Sequence, residues 1–121
     1  WIRGVPPSAT TTAAFMTIHN AGPDDAVLKS ANCEIAETVQ IHTMEQVGEM
    51  MKMKEVSELL IPANGQASLA PKGYHIMLIG LTRPINEGET IPLLLNFTDR
   101  ETVAVDAVVK KWGSMSHMSH H

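Results

Sequence analysis

The 121 residues amount to one domain's worth of chain, long enough to bury roughly two-thirds of the unfolded surface without disulfides. Hydrophobic residues make up 44% and charged residues 18%, which argues against disorder. Nine Lys and Arg against thirteen Asp and Glu give a net charge of −4. The basic residues are scattered and the aromatics are only Trp1, Phe15, Tyr74, Phe97 and Trp112, which excludes a nucleic-acid surface.

Taken in chain order, Pro6 to Thr12 reads as a loop or an edge segment. Ala14, Met16 and Ile18 then alternate with Phe15, Thr17 and His19, the pattern of a strand with one face buried. Met16 falls on the core side, and His19, next to the turn Asn20-Ala21-Gly22-Pro23, reads as an ordinary loop residue. Cys33 is the single cysteine; it forms no intramolecular disulfide and is expected as a small buried hydrophobe. Val39 and Ile41 carry the apolar parity of the next strand. Asn64-Gly65 suggests a type I′ hairpin turn joining Leu59–Ile61 to Gln66–Leu69. After Pro71-Lys72-Gly73 a strand covers Tyr74 to Leu81, and beyond Asn86-Glu87-Gly88 two more are carried by Ile91, Leu93, Leu95, Phe97 and by Val103, Val105, Ala107, Val109. Short strands, regular turns and no long helical period predict an all-β antiparallel barrel or sandwich over residues 1–112. The tail, 113–121, has no core-forming pattern and should be disordered when free. The longest apolar run, near Ile76–Leu81, is far below the roughly 20 residues of a membrane span. No signal peptide is present, and a start at Trp1 suggests a processed N-terminus.

Eight Met and six His stand out against one Cys. Strand parity places His42 and Met44 together, on the side away from Val39 and Ile41. It likewise places His75 and Met77 together, opposite Ile76 and Leu78. Each His-x-Met pair sets an imidazole and a thioether about 7 Å apart along one strand. Met51 and Met53 share a face opposite Lys52 and Lys54. Taken alone, that last alternation fits a half-buried strand, and one His on a strand is ordinarily a hydrogen-bonded residue. Two such pairs beside a Met cluster point instead to a metal. Thioether sulfur is soft and neutral; it suits Cu(I) and suits Zn(II), Mg(II) or Ca(II) poorly, while neutral imidazole also suits copper. A structural zinc site would want thiolates. A blue-copper electron carrier would need a Cys with close His and Met partners, which Cys33 lacks. No Ser/His/Asp or carboxylate pair is placed for catalysis, so an enzyme is not expected.

At these residues a family resemblance emerges. His42, ten residues, Met53, twenty-one residues, His75, one residue, Met77 is similar to the copper-binding motif of the periplasmic PCu(A)C-type copper chaperones. The blocks WIRGVPPSATTTAAFMTIHN, IHTM, GEMMKM and KGYHIMLIGLTRPINEGETIPLLLNF resemble that family too, so that the likeness runs from Trp1 to Lys111. The resemblance implies a cupredoxin-like antiparallel β-barrel without a blue-copper centre. It implies one Cu(I) held by His42, Met53, His75 and Met77 and delivered to the copper centres of haem–copper oxidases or to the wider periplasmic copper supply. Stepwise ligand exchange with another copper protein is the transfer expected of such neutral, accessible ligands. It also implies export behind a signal peptide since removed; the chain is expected to be a monomer with no membrane span.

Met44 and Met51 are further candidate ligands, as are Met115, His117, Met118, His120 and His121 in the tail, where imidazoles favour Cu(II) and thioethers Cu(I). Glu34, Glu37, Glu45, Glu49, Glu55 and Glu58 make the region flanking the ligands acidic, which reads first as a solvated face. The rival to the chaperone reading is a β-sandwich interaction module whose Met and His residues only pack, with metal scavenged by the tail.

Overall fold

The computed structural model describes residues 1–71, 73–98 and 101–111. Among them the regular structure is strand throughout: β1 (Ile2–Arg3), β2 (Thr11–Ala14), β3 (Met16–Asn20), β4 (Ala26–Cys33), β5 (Ala36–Val47), β6 (Met50–Val56), β7 (Leu59–Ile61), β8 (Gly65–Leu69), β9 (His75–Leu81), β10 (Thr90–Phe97) and β11 (Val103–Lys110). No helix there is long and apolar enough to cross a membrane.

Nine strands form one sheet in the order β6-β5-β9-β2-β1-β11-β10-β4-β7, and β3 pairs with β8 in a second, two-stranded sheet. The pairs are antiparallel except β1 on β11, which run parallel at Ile2↔Val109 and Arg3↔Lys110. That junction is tight: the Gly4 N–H donates to the Lys110 carbonyl at 2.6 Å. A Cβ on Gly4 would stand 2.8 Å from the same oxygen, so a side chain there would force the strands apart. The long sheet folds over so that both halves bury their apolar parity in one core. Ile41, Ile76 and Leu78 come from one half; Leu28, Leu93, Leu95, Ala107 and Val109 come from the other. Cys33 lies in this core beside them. Leu69 belongs to it as well, and Met16, Ile18 and Ala67 of the small sheet pack against it. This is the antiparallel barrel-like sandwich that period-two alternation predicts.

Four local expectations are corrected. Leu59–Ile61 and Gln66–Leu69 do not pair as a hairpin. β7 pairs with β4 and β8 with β3, so the Pro62–Gly65 turn carries the chain from one sheet to the other. Asn64 has φ 54°, but Gly65 is not left-handed, so the two-residue I′ geometry is not formed. The single strand expected across Ala14–His19 is broken at Phe15, which is itself buried against Trp1 at 4.8 Å between ring centroids. His19 is exposed as expected, but within β3 rather than in a loop. Thr11 and Thr12 are not an edge: β2 lies between β9 and β1, and Thr12 is buried with its hydroxyl donating to the Arg3 carbonyl.

Candidate metal centre

β5 runs into β6 through a two-residue turn at Gly48 and Glu49, with Val47 opposite Met50. Gly48 has φ +63°, a conformation that glycine adopts without the Cβ clash of other residues. The turn fixes the register of the hairpin, which sets Met44 directly opposite Met53 and His42 opposite Glu55. On its other edge β5 pairs with β9, which sets His42 directly opposite His75 and Gln40 opposite Met77. Residues directly opposite in a ladder share a face. Met53, Met44, His42, His75 and Met77 therefore stand on one face of β6-β5-β9, and Ile41, Ile76 and Leu78 stand on the core face behind them. Both His-x-Met pairs read from parity lie on this outward face.

The imidazoles of His42 and His75 are 5.9 Å apart between centroids, a gap that a shared ion could span with metal–nitrogen bonds of about 2 Å. Each ring is held by a different partner. His75, which is buried, places Nδ1 2.9 Å from the Gly73 carbonyl, so that nitrogen carries a proton, and in the neutral ring the lone pair is on Nε2. Phe15 lies 6.2 Å from the His75 ring, and the Arg3 guanidinium lies over Phe15. His42 places Nε2 2.8 Å from Gln40 Oε1. Its Nδ1 is buried and has no hydrogen-bond partner. Burial lowers the His42 pKa, helped by the neighbouring His75 and opposed by Glu55, which favours the neutral ring whose lone pair a metal can take.

A cavity of about 400 Å³ opens on this face, and its walls include Met44, Met53, His75, Met77, Phe15 and Arg3. Of the four residues singled out by spacing, three line it; His42 stands in register beside His75 but is not among its walls. Met44 is as central as Met53, whereas Met51 pairs with Gln46 one step further toward the hairpin tip. Met51 and Met53 are exposed like Lys52 and Lys54 beside them, so β6 does not bury one face as lysine alternation would allow. Among the described residues, no group of three or more His, Cys, Asp and Glu side chains could hold a metal. A metal bound here would have to take thioethers. Cys33 is buried and its thiol pKa is raised by burial, as suits a core residue. The six glutamates flanking the ligands are all exposed. Met115, His117, Met118, His120 and His121 lie outside the described residues. Gln40, Phe15 and Arg3 are the neighbours that alternation alone did not single out. The only sequence signal for Gln40 was its parity, shared with His42.

The sequence profile of the family described as "Putative lipoprotein LpqE-like" matches residues 1–109. The chain belongs to this family. "Putative lipoprotein Lxx21020" of Leifsonia xyli subsp. xyli is 34% identical over 111 residues, 91% of this chain and 66% of that protein, so the chain spans just under two thirds of its length. Among solved structures, the apo PCuAC domain from PmoF1 superposes with a TM-score of 0.77 at 21% identity, over 92% of this chain and 88% of its own. At that identity it shows the fold, which is the cupredoxin-like barrel that the family resemblance implies. DR1885 from Deinococcus radiodurans, solved in solution as CuI-DR1885, is 40% identical with a TM-score of 0.73, over 90% of this chain and 73% of its own.

Proposed function

We propose that this protein is a copper chaperone that carries one Cu(I) between His42, Met53, His75 and Met77. The observation that carries the reading is the register β6-β5-β9. It gathers both imidazoles and the thioethers on one outward sheet face, with one nitrogen of each ring held by a hydrogen bond and the other not. The likeness to DR1885, whose structure was solved with CuI, supports the choice of metal. Two imidazoles and two thioethers add no charge, so the bound Cu(I) keeps its +1 and stays exchangeable. Soft sulfur selects it against Zn(II). Transfer proceeds by stepwise replacement of these ligands with a recipient's Cys, His or Met. Met44, opposite Met53, is the reserve thioether on this path, and Met51 extends it toward the exposed hairpin tip.

The protein acts outside the cytoplasm, in the periplasm, as an exported monomer without enzymatic activity. Its recipients are the copper centres of haem–copper oxidases or another periplasmic copper protein. Residues 1–112 are the copper-binding domain, and the tail 113–121 adds a second site for Cu(II) or Cu(I).

The test is an anaerobic competition for Cu(I) against a chromogenic chelator. It compares the full chain, the chain ending at Trp112, and that shorter chain carrying Met53→Ala and His75→Ala. One tight equivalent retained by the shorter chain and lost by the double variant is the expected result. Loss of all tight binding with the tail would leave a structural β-sandwich with a tail-borne scavenger.

A further inference from the structure

We infer that Gln40 is a positioning residue of the copper site, which holds the His42 ring so that it offers Nδ1 to Cu(I). The inference rests on the reading that Cu(I) binds on this face. Gln40 lies two residues before His42 on β5, on the same side of the sheet, and stands in register with Met77 across the ladder to β9. Its Oε1 is 2.8 Å from His42 Nε2. A carboxamide oxygen only accepts, so the shared proton sits on Nε2, and a neutral imidazole then has its lone pair on Nδ1. That Nδ1 is buried and unpartnered, although buried polar atoms nearly always find a partner. The orphan atom is thus the one that the Gln40 bond leaves free for a ligand.

His75 is oriented by the opposite device. Its Nδ1–H is taken by the Gly73 carbonyl, and Nε2 is the free atom. The two imidazoles, in register and 5.9 Å apart, therefore offer different nitrogens to the same ion. A backbone carbonyl orients His75 whatever residue stands at position 73. The orientation of His42 depends on a side chain, so position 40 is where the strength of the site can be tuned. Outer-shell partners that fix an imidazole tautomer are worth about 10–100-fold in metal affinity.

The test uses the full chain labelled with ¹⁵N, in wild-type form and as Gln40→Leu and Gln40→Glu. Gln40→Leu removes the acceptor beside Met77, and Gln40→Glu keeps both the length and the acceptor. Long-range ¹H–¹⁵N spectra of the apo protein read which ring nitrogen carries the proton, and chelator competition reads Cu(I) affinity. In the wild type His42 should carry its proton on Nε2, and added Cu(I) should shift Nδ1 of His42 and Nε2 of His75. Gln40→Leu should lose the single tautomer and bind Cu(I) about 10–100-fold more weakly, while Gln40→Glu restores both.

A wild-type His42 protonated on Nδ1 overturns the inference without recourse to any variant. So does a folded Gln40→Leu with unchanged tautomer and unchanged affinity. If wild type and Met53→Ala bind Cu(I) equally well, the copper reading fails. The apo spectrum still decides separately whether Gln40 holds the ring.

Discussion

The two faces of β6-β5-β9 are built from alternate residues of the same strands, yet they differ in nearly every property. The inner face presents Ile41, Ile76 and Leu78, almost wholly withdrawn from solvent. The outer face presents His42, Met44, His75, Met77 and Met53, the last 53% exposed. Stability belongs to the first set and the candidate chemistry to the second. A strand separates them at no extra cost in chain, because its side chains alternate. The separation depends on register, since a slip of one residue would exchange the two sets. The difference teaches that a candidate metal-binding face can stand on the same strands whose alternate residues pack the core.

The comparison breaks most visibly at Leu78. It is fully buried, so Leu78→Ala should cost 2–5 kcal/mol of about 5–15 available, as read from a shift of the denaturant midpoint. The Cu(I) affinity of the protein that remains folded should not change. A loss of affinity at full folding would mean that the inner face tunes the outer one. The mirror experiment is Met53→Ala. Its side chain stands half in solvent, so stability should stay within about 0.5 kcal/mol. Cu(I) affinity, by contrast, should fall at least about tenfold, equivalent to about 1.4 kcal/mol. A Met53→Ala variant that unfolds early while holding copper normally would reverse the assignment of the two faces.

Much of this division was legible before any coordinates. The parity that separates His42 and Met44 from Ile41, and His75 and Met77 from Ile76 and Leu78, follows from period two within each strand. What parity cannot supply is which strands become neighbours. That His42 stands opposite His75 is a property of the β5–β9 ladder, formed between residues far apart in sequence. The same blindness produced the false hairpin at Asn64-Gly65: turn chemistry marked a reversal, but not that the reversal crosses between sheets. Alternation with Ala14 and Met16 places Phe15 on an outer face. The strand breaks there, and the ring is buried between Trp1 and His75. Gln40 gave no signal beyond its parity, because a polar residue on an outer strand face is ordinary until its partner is known.

The register of the outer face can be loosened without touching any ligand. Gly48 is left-handed at the tip of the β5–β6 hairpin, and a Cβ there would meet nothing within 4 Å. Gly48→Ala therefore isolates backbone strain from crowding, and should cost about 1 kcal/mol in thermal or chemical unfolding. If the hairpin register places Met44 and Met53 for copper, the same variant should also release Cu(I) faster to a chelator. A stability loss with no change in release would show that the thioethers reach the ion from more than one register.

The smallest expected effect concerns the charges on the reverse side of the hairpin that carries Met44 and Met53. Glu45 is exposed and its carboxylate stands 4.0 Å from the Lys54 ammonium, on the side of the β5–β6 hairpin away from the Met44–Met53 pair. A solvent-exposed pair of this kind contributes little, because water and salt screen it and two flexible side chains must be held in place. Glu45→Gln should therefore change stability by less than about 0.5 kcal/mol. Coordination by neutral imidazole and thioether leaves no formal role for a carboxylate 4.0 Å from a lysine, so equilibrium Cu(I) affinity should also be unchanged. An acidic surface that draws a cation inward would act on the rate of loading, and that rate would fall as salt shortens the Debye length to about 8 Å at physiological ionic strength. Measuring Cu(I) uptake for wild type and Glu45→Gln at low and at physiological salt separates the two. Equal rates at both salt levels make the acidic flank a solvated surface. A rate deficit for Glu45→Gln confined to low salt would make that flank part of how the outer face collects its cargo.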